Sequence, residues 1–278
     1  MSKEIFKVIK ESLKNYRFTS LNYTEYEDIK DYEITSNNKD LILLYGLDKE
    51  KNLYEYHFAA NKVEDLIREL RKDEDKALIT FIPDEWTAAL EKNNFKVFAL
   101  WNDYRNENIE DTIAKTAAFE ETAFKVEALK ESDAAEISEV TLACRGQSRG
   151  FTGQSQEWVK KWIRQEDPWV KGSDAKNCCV LGCRYQDRLV GIICLAAYGY
   201  NGEKGPILWI RELAVAPEYS GQGIGRALLR AGLSYGKTIG TKRGFLMADE
   251  CNNHAIRLYN AFSFMGIKEN AQRDMIRE

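Results

Sequence analysis

The chain has 278 residues, of which 44% are hydrophobic and 30% are charged, with 40 Lys and Arg against 44 Asp and Glu. This composition is typical of a globular protein, and the length allows one large domain or two small ones. The formal net charge of −4 argues against nucleic acid as the main partner, and no apolar run approaches the roughly 20 residues that cross a bilayer.

The N-terminal and cysteine patterns indicate a cytoplasmic protein. The first residues, MSKEIFKVIKESLK, are charged and amphipathic and lack the apolar core of a signal peptide. The six cysteines form no paired CxxC motif, and a metal site built from Cys178, Cys179 and Cys183 would lack a fourth ligand nearby, since the chain has only two histidines. We therefore expect small buried thiols in a reducing compartment and no metal site.

The first hundred residues alternate short helices and strands. An apolar stripe predicts a helix around Ile5 to Leu13, and Asn61 with Glu64 forms a capping-box-like start for a helix ending near Leu70. A further helix is predicted over Asp84–Lys92. The predicted strands are Leu41–Tyr45, Leu53–Phe58, Ala77–Ile82 and Phe95–Trp101.

Glycine divides the chain into two parts. Gly46 is the only glycine before Gly146, and the other 17 of the 18 glycines follow from there. Backbone that turns tightly or approaches a ligand is therefore expected in the second half. We place a domain boundary at about residue 120, in a polar and alanine-rich segment. The prediction is an N-terminal smaller α/β domain over residues 1–120 and a second domain over residues 121–278.

The second half reads as a mixed α/β domain in the order β-α-α-β-β-β-α-β-α-β. Its two leading helices are predicted to begin at Ser132 and Ser155, with the stretch RGQSRGFTGQ as a flexible connection between them. The predicted strands are Phe124–Leu129, Cys178–Tyr185, Leu189–Ala197, Ile210–Val215, Phe245–Ala248 and a last one reaching Arg277. Of the two later helices, one follows the central strand and the glycine turn, and the other spans Asn252–Phe262.

The most informative stretch is WIRELAVAPEYSGQGIGRALL, from Trp209 to Leu229. An apolar strand ends at Pro217, and glycines then fall at Gly221, Gly223 and Gly225, directly before a helix-forming run. Backbone N–H groups at the start of a helix, together with the helix dipole, favour an anion such as phosphate. A lone turn of this kind is weak evidence, because many are only tight connections.

Three further features resemble the GNAT acyl-CoA N-acyltransferase superfamily. These are Glu212-Leu-Ala-Val-Ala-Pro before the turn, Leu228 and Leu229 after it, and Asn252-x-x-Ala255-x-x-Leu258-Tyr259. The resemblance extends from about Ala123 to the C-terminus. The family's loop pattern, Gln/Arg-x-x-Gly-x-Gly/Ala, falls on Ser220, Gly223 and Gly225, so its first position departs. A register of Gln222, Gly225 and Ala227 also fits the letters.

The resemblance implies a GNAT fold and acetyl-CoA as co-substrate. The strand backbone would pair with the pantetheine arm and the loop would bind the diphosphate. A kink in the central strand would aim one N–H at the thioester carbonyl. The implied coenzyme-binding residues are Leu213, Ala214, Val215, Ser220, Gly221, Gln222, Gly223, Ile224, Gly225, Arg226 and Asn252. Arg226 or Arg230 could add positive charge.

Two side chains are candidates for the proton transfers. Glu212 is an acid inside an apolar strand, where loss of water would raise its pKa and suit it as general base; alternatively it pairs with Arg211 or faces solvent. Tyr259 matches the family's general-acid tyrosine, the alternative being a core residue. Asn252 caps its helix, contacts the pantetheine, or both. His254 is expected to be a bystander, and Ser263-Phe264 replaces the family's usual Gly-Phe.

The expected reaction is N-acetylation of a small-molecule or peptide amine by direct attack in a ternary complex. The acceptor site is expected from Cys144–Gln156 and Tyr198–Gly205, where Phe151, Tyr198 and Tyr200 could line an apolar or cation-binding pocket. We expect no nucleic-acid or membrane partner, while a homodimer is left open. The competing hypothesis is a coenzyme A-binding module without turnover, favoured by the departures at Ser220 and Ser263.

The first half contains a faint echo of the second. The segment from Leu78 parallels the segment from Phe245: strand, turn, helix, then a strand that begins with Phe. Aligning Phe95 with Phe264 places Leu90 where the second copy has Tyr259. We therefore hypothesise a degenerate GNAT-like domain that has lost its coenzyme loop and its tyrosine, against an unrelated α/β domain.

Overall fold

The computed structural model describes residues 1–49, 52–70, 76–117 and 124–277. The chain forms two compact units. The first comprises Met1–Trp101 and the C-terminal residues from Ala271, and the second comprises Asn102–Asn270. In the described residues, no helix is long and apolar enough to cross a membrane. The boundary expected near residue 120 lies outside the described residues, and the domain limits stay a prediction.

The first unit is built from short helices and a mixed sheet. Its helices are α1 (Lys3–Ser12), α2 (Tyr26–Ile29), α3 (Val63–Glu69) and α4 (Thr87–Glu91). Its strands are β1 (Phe18–Thr19), β2 (Glu33–Asn37), β3 (Leu41–Asp48), β4 (Leu53–Ala60), β5 (Ala77–Ile79) and the first part of β6 (Phe95–Asn106). The end of β12 (Met265–Arg277) completes it.

The pairing in this unit runs antiparallel from β2 through β3 to β4, and then parallel from β4 to β5. The end of β12 pairs antiparallel with β5, from Met275 opposite Ile79 to Arg277 opposite Ala77. The sheet is therefore mixed, and one of its strands, the end of β12, comes from the far end of the chain. The short β1 pairs with the end of β4, where Phe18 lies opposite Ala60.

The single early glycine has a packing reason. A Cβ at Gly46 would come within 2.4 Å of the Tyr32 ring, closer than side chains tolerate. The Tyr32 hydroxyl donates to buried Glu55 at 2.9 Å, and the imidazole of His57 contacts the same carboxylate oxygen at 3.0 Å. Gly46 thus makes room for a buried polar cluster, not for a turn.

The second unit has the predicted order of elements. Its helices are α5 (Ile109–Lys115), α6 (Ala134–Ala143), α7 (Gln156–Ile163), α8 (Pro168–Lys171), α9 (Ile224–Thr238) and α10 (Asn253–Ala261). Its strands are β7 (Val126–Ala128), β8 (Lys176–Tyr185), β9 (Arg188–Tyr198), β10 (Ile207–Val215) and β11 (Arg243–Asp249), with the end of β6 and the start of β12. The mixed α/β class is confirmed, and the β-α-α-β-β-β-α-β-α-β order holds except for two helices that were not predicted, α5 before β7 and the four-residue α8 before β8.

Helices cover both faces of this sheet. β7, β8, β9 and β10 pair antiparallel in sequence, and β11 joins β10 in parallel. Alternate residues of β9 point to opposite faces, because side chains in a strand have a period of two. Ile193 and Leu195 pack with α9 and α10, whereas Ile192 and Cys194 pack with α6 and α7. Both faces are buried, which explains the continuous apolar run of β9.

Two predicted helix starts are wrong. α6 is preceded by a 3-10 turn, Glu131–Asp133, in which Asp133 accepts from the Lys130 amide, and no side chain of the described residues caps α6, so Ser132 does not have the expected role. α3 begins after Lys62, and the Asn61 side chain instead accepts from the Arg17 amide at 2.8 Å. The start at Ser155 is confirmed, since its hydroxyl accepts from the Trp158 amide at 3.1 Å.

Candidate active site

The glycine turn leads directly into α9. Gly221 (φ +78°) and Gly223 (φ +93°) adopt left-handed backbone conformations that disfavour residues with a Cβ. Apart from the glycine itself and its two chain neighbours, no heavy atom of the described residues lies within 4 Å of a Cβ built at either glycine, so the space beside the turn is open. The first helical bond runs from the Ala227 amide to the Gly223 carbonyl at 3.1 Å. The amides of the first turn precede it and point out of the helix, as at other helix starts.

The structure distinguishes the loop residues by their roles. Gly223 is the N-cap of the 15-residue α9, and among the described residues no side chain caps it. A Cβ at Gly225 would lie 3.2 Å from Leu258, so this glycine allows close packing of α9 on α10. Ser220 and Gln222 are exposed, as is Arg226. These positions favour the register of Ser220, Gly223 and Gly225 over the shifted one.

Arg230 does not add charge at the turn. It is buried, and its guanidinium donates to the Ile113 carbonyl at 2.7 Å and to the Thr116 hydroxyl at 3.0 Å. These bonds fasten α5, in the segment expected to be a polar linker, against α9. The suggestion that Arg230 serves the anion site is therefore wrong.

Strands β10 and β11 separate beyond their first residues. They pair in parallel only where Ile207–Trp209 meet Arg243–Phe245. From Ile210 to Val215, β10 remains paired with β9 on its other edge, but within the described ranges no strand pairs with the edge that faces β11. An extended group entering this gap would find unpaired strand backbone leading to the glycine turn.

A bulge interrupts β10 beside this gap. Ile210 lies opposite Leu195 and Glu212 lies opposite Cys194, so Arg211 is an extra residue without a counterpart on β9. A bulge of this kind reverses the side-chain alternation that follows it. Ile210 accordingly packs with α9 and α10, whereas Ala214, two residues beyond Glu212, packs with α6 and α7. The bulge therefore turns Glu212 toward α6 and α7, and the kink that the family resemblance implies is present.

Glu212 is a buried carboxylate held by two donors. The residue is 7% exposed, and its Oε1 accepts from Gln154 Nε2 at 2.7 Å and from Arg211 Nη1 at 2.5 Å. In the described part of the chain, no group hydrogen-bonds to Oε2. Burial raises the pKa of Glu212 above its ordinary value, while Arg211 and Gln154 lower it in part. The pairing with Arg211 that the sequence allowed is present and coexists with burial.

Gln154 is itself fixed by α6. Its backbone amide donates to the Thr141 hydroxyl at 2.9 Å, and its backbone carbonyl accepts from the Ser138 and Thr141 hydroxyls. The preceding Gly153 has φ +80°, and a Cβ there would come within 2.9 Å of the Thr141 carbonyl and the Leu142 backbone. A left-handed glycine thus lets the chain press against α6 and present Gln154 to Glu212.

A second anchor ties the same connection to β11. Asp249 is fully buried, and its carboxylate accepts from the Arg149 amide at 3.1 Å and from the Arg149 guanidinium at 3.0 and 2.6 Å. Burial alone would raise the pKa of Asp249, but the Arg149 hydrogen bonds outweigh it and the pKa is lowered. The connection from Arg145 to Gln154, expected to be flexible, is fastened at Arg149 and at Gln154.

The α10 helix packs in the same core as β10 and β11. Tyr259 is buried, its ring packs against Tyr104 and Phe264, and its hydroxyl bonds to none of the described residues. Burial raises the pKa of Tyr259 above that of an ordinary phenol, and the nearby Glu212 raises it further. Asn252 caps α10 by accepting from the Ala255 amide at 3.2 Å, so its capping role is confirmed. Ser263 has φ +58°, which explains why the family prefers glycine there.

The expected acceptor aromatics are only partly brought together. Tyr198 packs edge-on against Trp209 and Trp169, and Phe151 lies at the border of the same core. Tyr200 does not take part in this packing. Its hydroxyl accepts from Asn177, and the ammonium group of Lys176 lies over its ring. His254 and Cys251 are exposed. All six cysteines are free, and among the described residues no group of three or more His, Cys, Asp or Glu could hold a metal.

Sequence reasoning missed Gln154, Arg149 and Asp249. Gln154 and Arg149 lie in a polar stretch that reads as a loop, and their partners are 58 and 100 residues away. The sequence signal for an ordered connection was the pair of glycines, Gly150 and Gly153. Both adopt positive φ and let the connection turn around Arg149 and Gln154. Asp249 was the other signal, as an acid directly after an apolar strand.

The part of the chain that contains Gln154, Glu212 and Tyr259 matches a known protein family. Residues 144–264 match the acetyltransferase (GNAT) family. The chain is 41% identical over 64 residues to a mycothiol acetyltransferase of Thermobispora bispora, a match that covers 23% of this chain and 22% of that protein. It is 32% identical over 117 residues to a spermine/spermidine N(1)-acetyltransferase of Bacillus subtilis, covering 38% of this chain and 75% of that protein.

A solved structure extends the likeness to most of the chain. A GCN5-related N-acetyltransferase from Sphaerobacter thermophilus superimposes with a TM-score of 0.53 at 13% identity, covering 86% of this chain and 76% of that chain. At this identity the likeness concerns the fold. The chain spans 22% of the length of the mycothiol acetyltransferase and 46% of an uncharacterised N-acetyltransferase of Methanocaldococcus jannaschii.

The Gln154 hydrogen bond makes a prediction about the proton affinity of Glu212. Gln154→Leu removes a donor that stabilises the ionised carboxylate, so the pKa of Glu212, already raised by burial, should rise further. The measurement is a carboxyl-carbon NMR titration of labelled glutamate. Gln156→Leu, the same change at an exposed position two residues away, is the control and should leave the Glu212 titration unchanged. An equal or lower pKa in Gln154→Leu would contradict the assignment.

Proposed function

Because the C-terminal half of the chain belongs to the GNAT acetyltransferase superfamily, we propose that this protein is an N-acetyltransferase. It moves an acetyl group from acetyl-CoA to the amine of a small molecule or peptide, by direct attack in a ternary complex. The observation that carries the proposal is the bulge of β10, which sets buried Glu212 beside an open strand edge. The relatives named mycothiol acetyltransferase and spermine/spermidine N(1)-acetyltransferase support the reaction class and not a particular acceptor.

The open corner at the start of α9 fits the coenzyme. Residues from Ser220 to Arg226 would surround the diphosphate, and the first-turn amides with the dipole of a 15-residue helix favour its negative charge. The unpaired edge of β10 at Leu213, Ala214 and Val215 would hold the pantetheine arm like an added strand. Asn252, which caps the start of α10, would also contact the pantetheine. Acetyl-CoA, when bound, supplies the thioester.

Glu212 is the general base in this proposal. Its Oε1 is held by Gln154 and Arg211, which leaves Oε2 to accept the proton that the amine loses as the new N–C bond forms. Burial raises the pKa of the carboxyl toward the range in which a base is effective near neutral pH. Below its pKa the carboxyl is protonated and inactive, so the rate rises with pH as the group ionises.

Tyr259 is the general acid. Burial keeps its phenol protonated at neutral pH, and its hydroxyl has no bond to the described residues that would compete for the proton. Tyr259 donates that proton to the departing sulfur as the C–S bond breaks. Burial also raises the pKa of the Cys144 thiol to about 11, which makes Cys144 a poor nucleophile.

A coenzyme A-binding module without turnover is the second candidate. Ser220 favours it, because an exposed serine replaces the longer Gln or Arg side chain of the family's loop pattern. The two candidates differ in free thiol release when the protein is mixed with acetyl-CoA and a panel of amines. Binding of the coenzyme without release across the panel would favour the module.

The base assignment predicts a change in the pH profile. Glu212→Gln keeps the hydrogen-bonding shape but cannot accept a proton, so the rising limb of kcat against pH should flatten and kcat should fall by about 10² to 10⁴. Tyr259→Phe should lower kcat without removing that limb. The control is Glu139→Gln, an exposed glutamate on α6, which should behave as the wild type. A pH profile of Glu212→Gln that matches the wild type would remove Glu212 from the mechanism.

We also propose that the N-terminal unit is a degenerate GNAT-like domain that binds no coenzyme. β4 is antiparallel to β3 and parallel to β5 over three residue pairs, the arrangement that β10 has with β9 and β11. The β3–β4 register runs from Leu41 opposite Ala60 to Asp48 opposite Leu53 without a shift, so β4 has no counterpart of the Arg211 bulge. Two residues, Asn61 and Lys62, connect β4 to α3 in place of a glycine turn.

The chain itself fills the gap that would admit a pantetheine arm in this unit. β3 pairs with one edge of Ala59 and Ala60, and β1 pairs with the other edge, the one toward β5. The Phe58 carbonyl accepts from the Ser20 amide at 3.0 Å, and the Phe58 amide donates to the Ser20 hydroxyl at 3.0 Å. The edge that is open in β10 is thus closed in β4 by β1 and Ser20.

This asymmetry predicts one coenzyme A per chain. Calorimetric titration should give a stoichiometry of one, and Gly223→Ala should weaken that binding by at least tenfold, because a Cβ enters the open space at the turn. Gly240→Ala is a matched control, since Gly240 has φ +83° and equally open surroundings at the other end of α9. A stoichiometry of two, or full affinity in Gly223→Ala, would contradict the proposal.

A further inference from the structure

Arg211 lies at the centre of an aromatic group that the proposed mechanism does not use. The central carbon of its guanidinium lies over the rings of Trp158 and Trp209, 5.6 and 5.7 Å from their centroids, within cation–π distance. Trp169 packs on Trp209 at 4.2 Å between centroids and is itself exposed. The cation–π contacts with two indoles and the bond to Glu212 hold the guanidinium in place beside Glu212.

Most of the donor capacity of Arg211 is unused. A guanidinium carries five N–H donors, and here only Nη1 has a partner, Glu212 Oε1. Across the described ranges, Nε and Nη2 hydrogen-bond to no protein group, and the side chain is 36% exposed. An oriented guanidinium with free donors is suited to bind a carboxylate through two parallel hydrogen bonds.

We propose that Arg211 binds a carboxylate of the acceptor, so that the acceptor is an α-amino acid or a close analogue. This inference rests on the proposed function. A base and a cation on adjacent residues match an amine and a carboxylate that are separated by one carbon atom. Glu212 accepts the proton of the amine, Arg211 holds the carboxylate, and Trp158, Trp209 and Trp169 provide an apolar wall for the amino-acid side chain.

The same geometry disfavours a polyamine acceptor. Each further ammonium group of a polyamine would approach the exposed guanidinium and be repelled by it, and the nearby carboxylates of Glu212 and Asp249 are already paired with Arg211 and Arg149. A zwitterion, by contrast, provides a partner for each charge of the Arg211–Glu212 pair. The acceptor class therefore differs from that named for the Bacillus subtilis relative.

The test compares amines that differ only in the carboxylate. Thiol release from acetyl-CoA is measured with phenylalanine and phenethylamine, with leucine and isopentylamine, and with spermidine. We expect kcat/KM to favour the amino acid of at least one pair by about tenfold or more, as befits a charge-assisted hydrogen bond. Arg211→Met should reduce that ratio toward one, and Arg211→Lys should leave an intermediate ratio. Because the ratio is taken within one variant, a changed pKa of Glu212 cancels from it.

Arg188→Met is the control, since Arg188 is an exposed arginine whose partner is Glu218. It should leave the ratio unchanged, and circular dichroism should show that Arg211→Met remains folded. Turnover of the decarboxylated amines or spermidine without preference for a carboxylate would overturn the inference while leaving the proposed function intact. So would a preference that survives in Arg211→Met. Absence of thiol release with every amine would overturn the proposed function and this inference with it.

Discussion

One extra residue in β10 is the constraint on which the site depends. If Arg211 were paired like its neighbours, Glu212 would share a face with Ile210 and point into the apolar core under α9 and α10. The bulge turns it toward α6 and α7 and places Arg211 on the same side. The local disruption also accompanies the separation of β10 from β11, where the strand edge becomes available to a ligand.

The buried charges near the bulge are tolerable because each has a partner supplied by the connection between α6 and α7. Gln154 and Arg211 hold Glu212, and Arg149 holds Asp249 with its backbone and guanidinium. Removing one partner of such a pair strands a buried charge, which typically costs about 3–5 kcal/mol. This connection therefore has to stay in place for the site to exist, although its sequence of small and polar residues is typical of a mobile loop.

The sequence predicts what local chemistry determines. The glycine turn, the order of strands and helices, the Ser155 start and the Asn252 cap depend on residues close to one another in the chain. The sequence does not predict the bulge, because Arg211 could equally occupy a regular strand position. Gln154 and Asp249 gain their roles from residues far away in sequence, and Ser132 does not cap α6 because the chain enters this helix through a 3-10 turn.

The two units show the same strand arrangement with opposite consequences, an open edge on β10 and a closed edge on β4. Titration of nitrogen-15-labelled protein with coenzyme A tests that contrast directly by NMR. The account predicts that the amide signals of Gly223, Ile224, Gly225 and Leu213 shift together and saturate, while those of Phe58–Ala60 stay unchanged. Unshifted amides at the start of α9, or shifts centred on Phe58–Ala60, would contradict it.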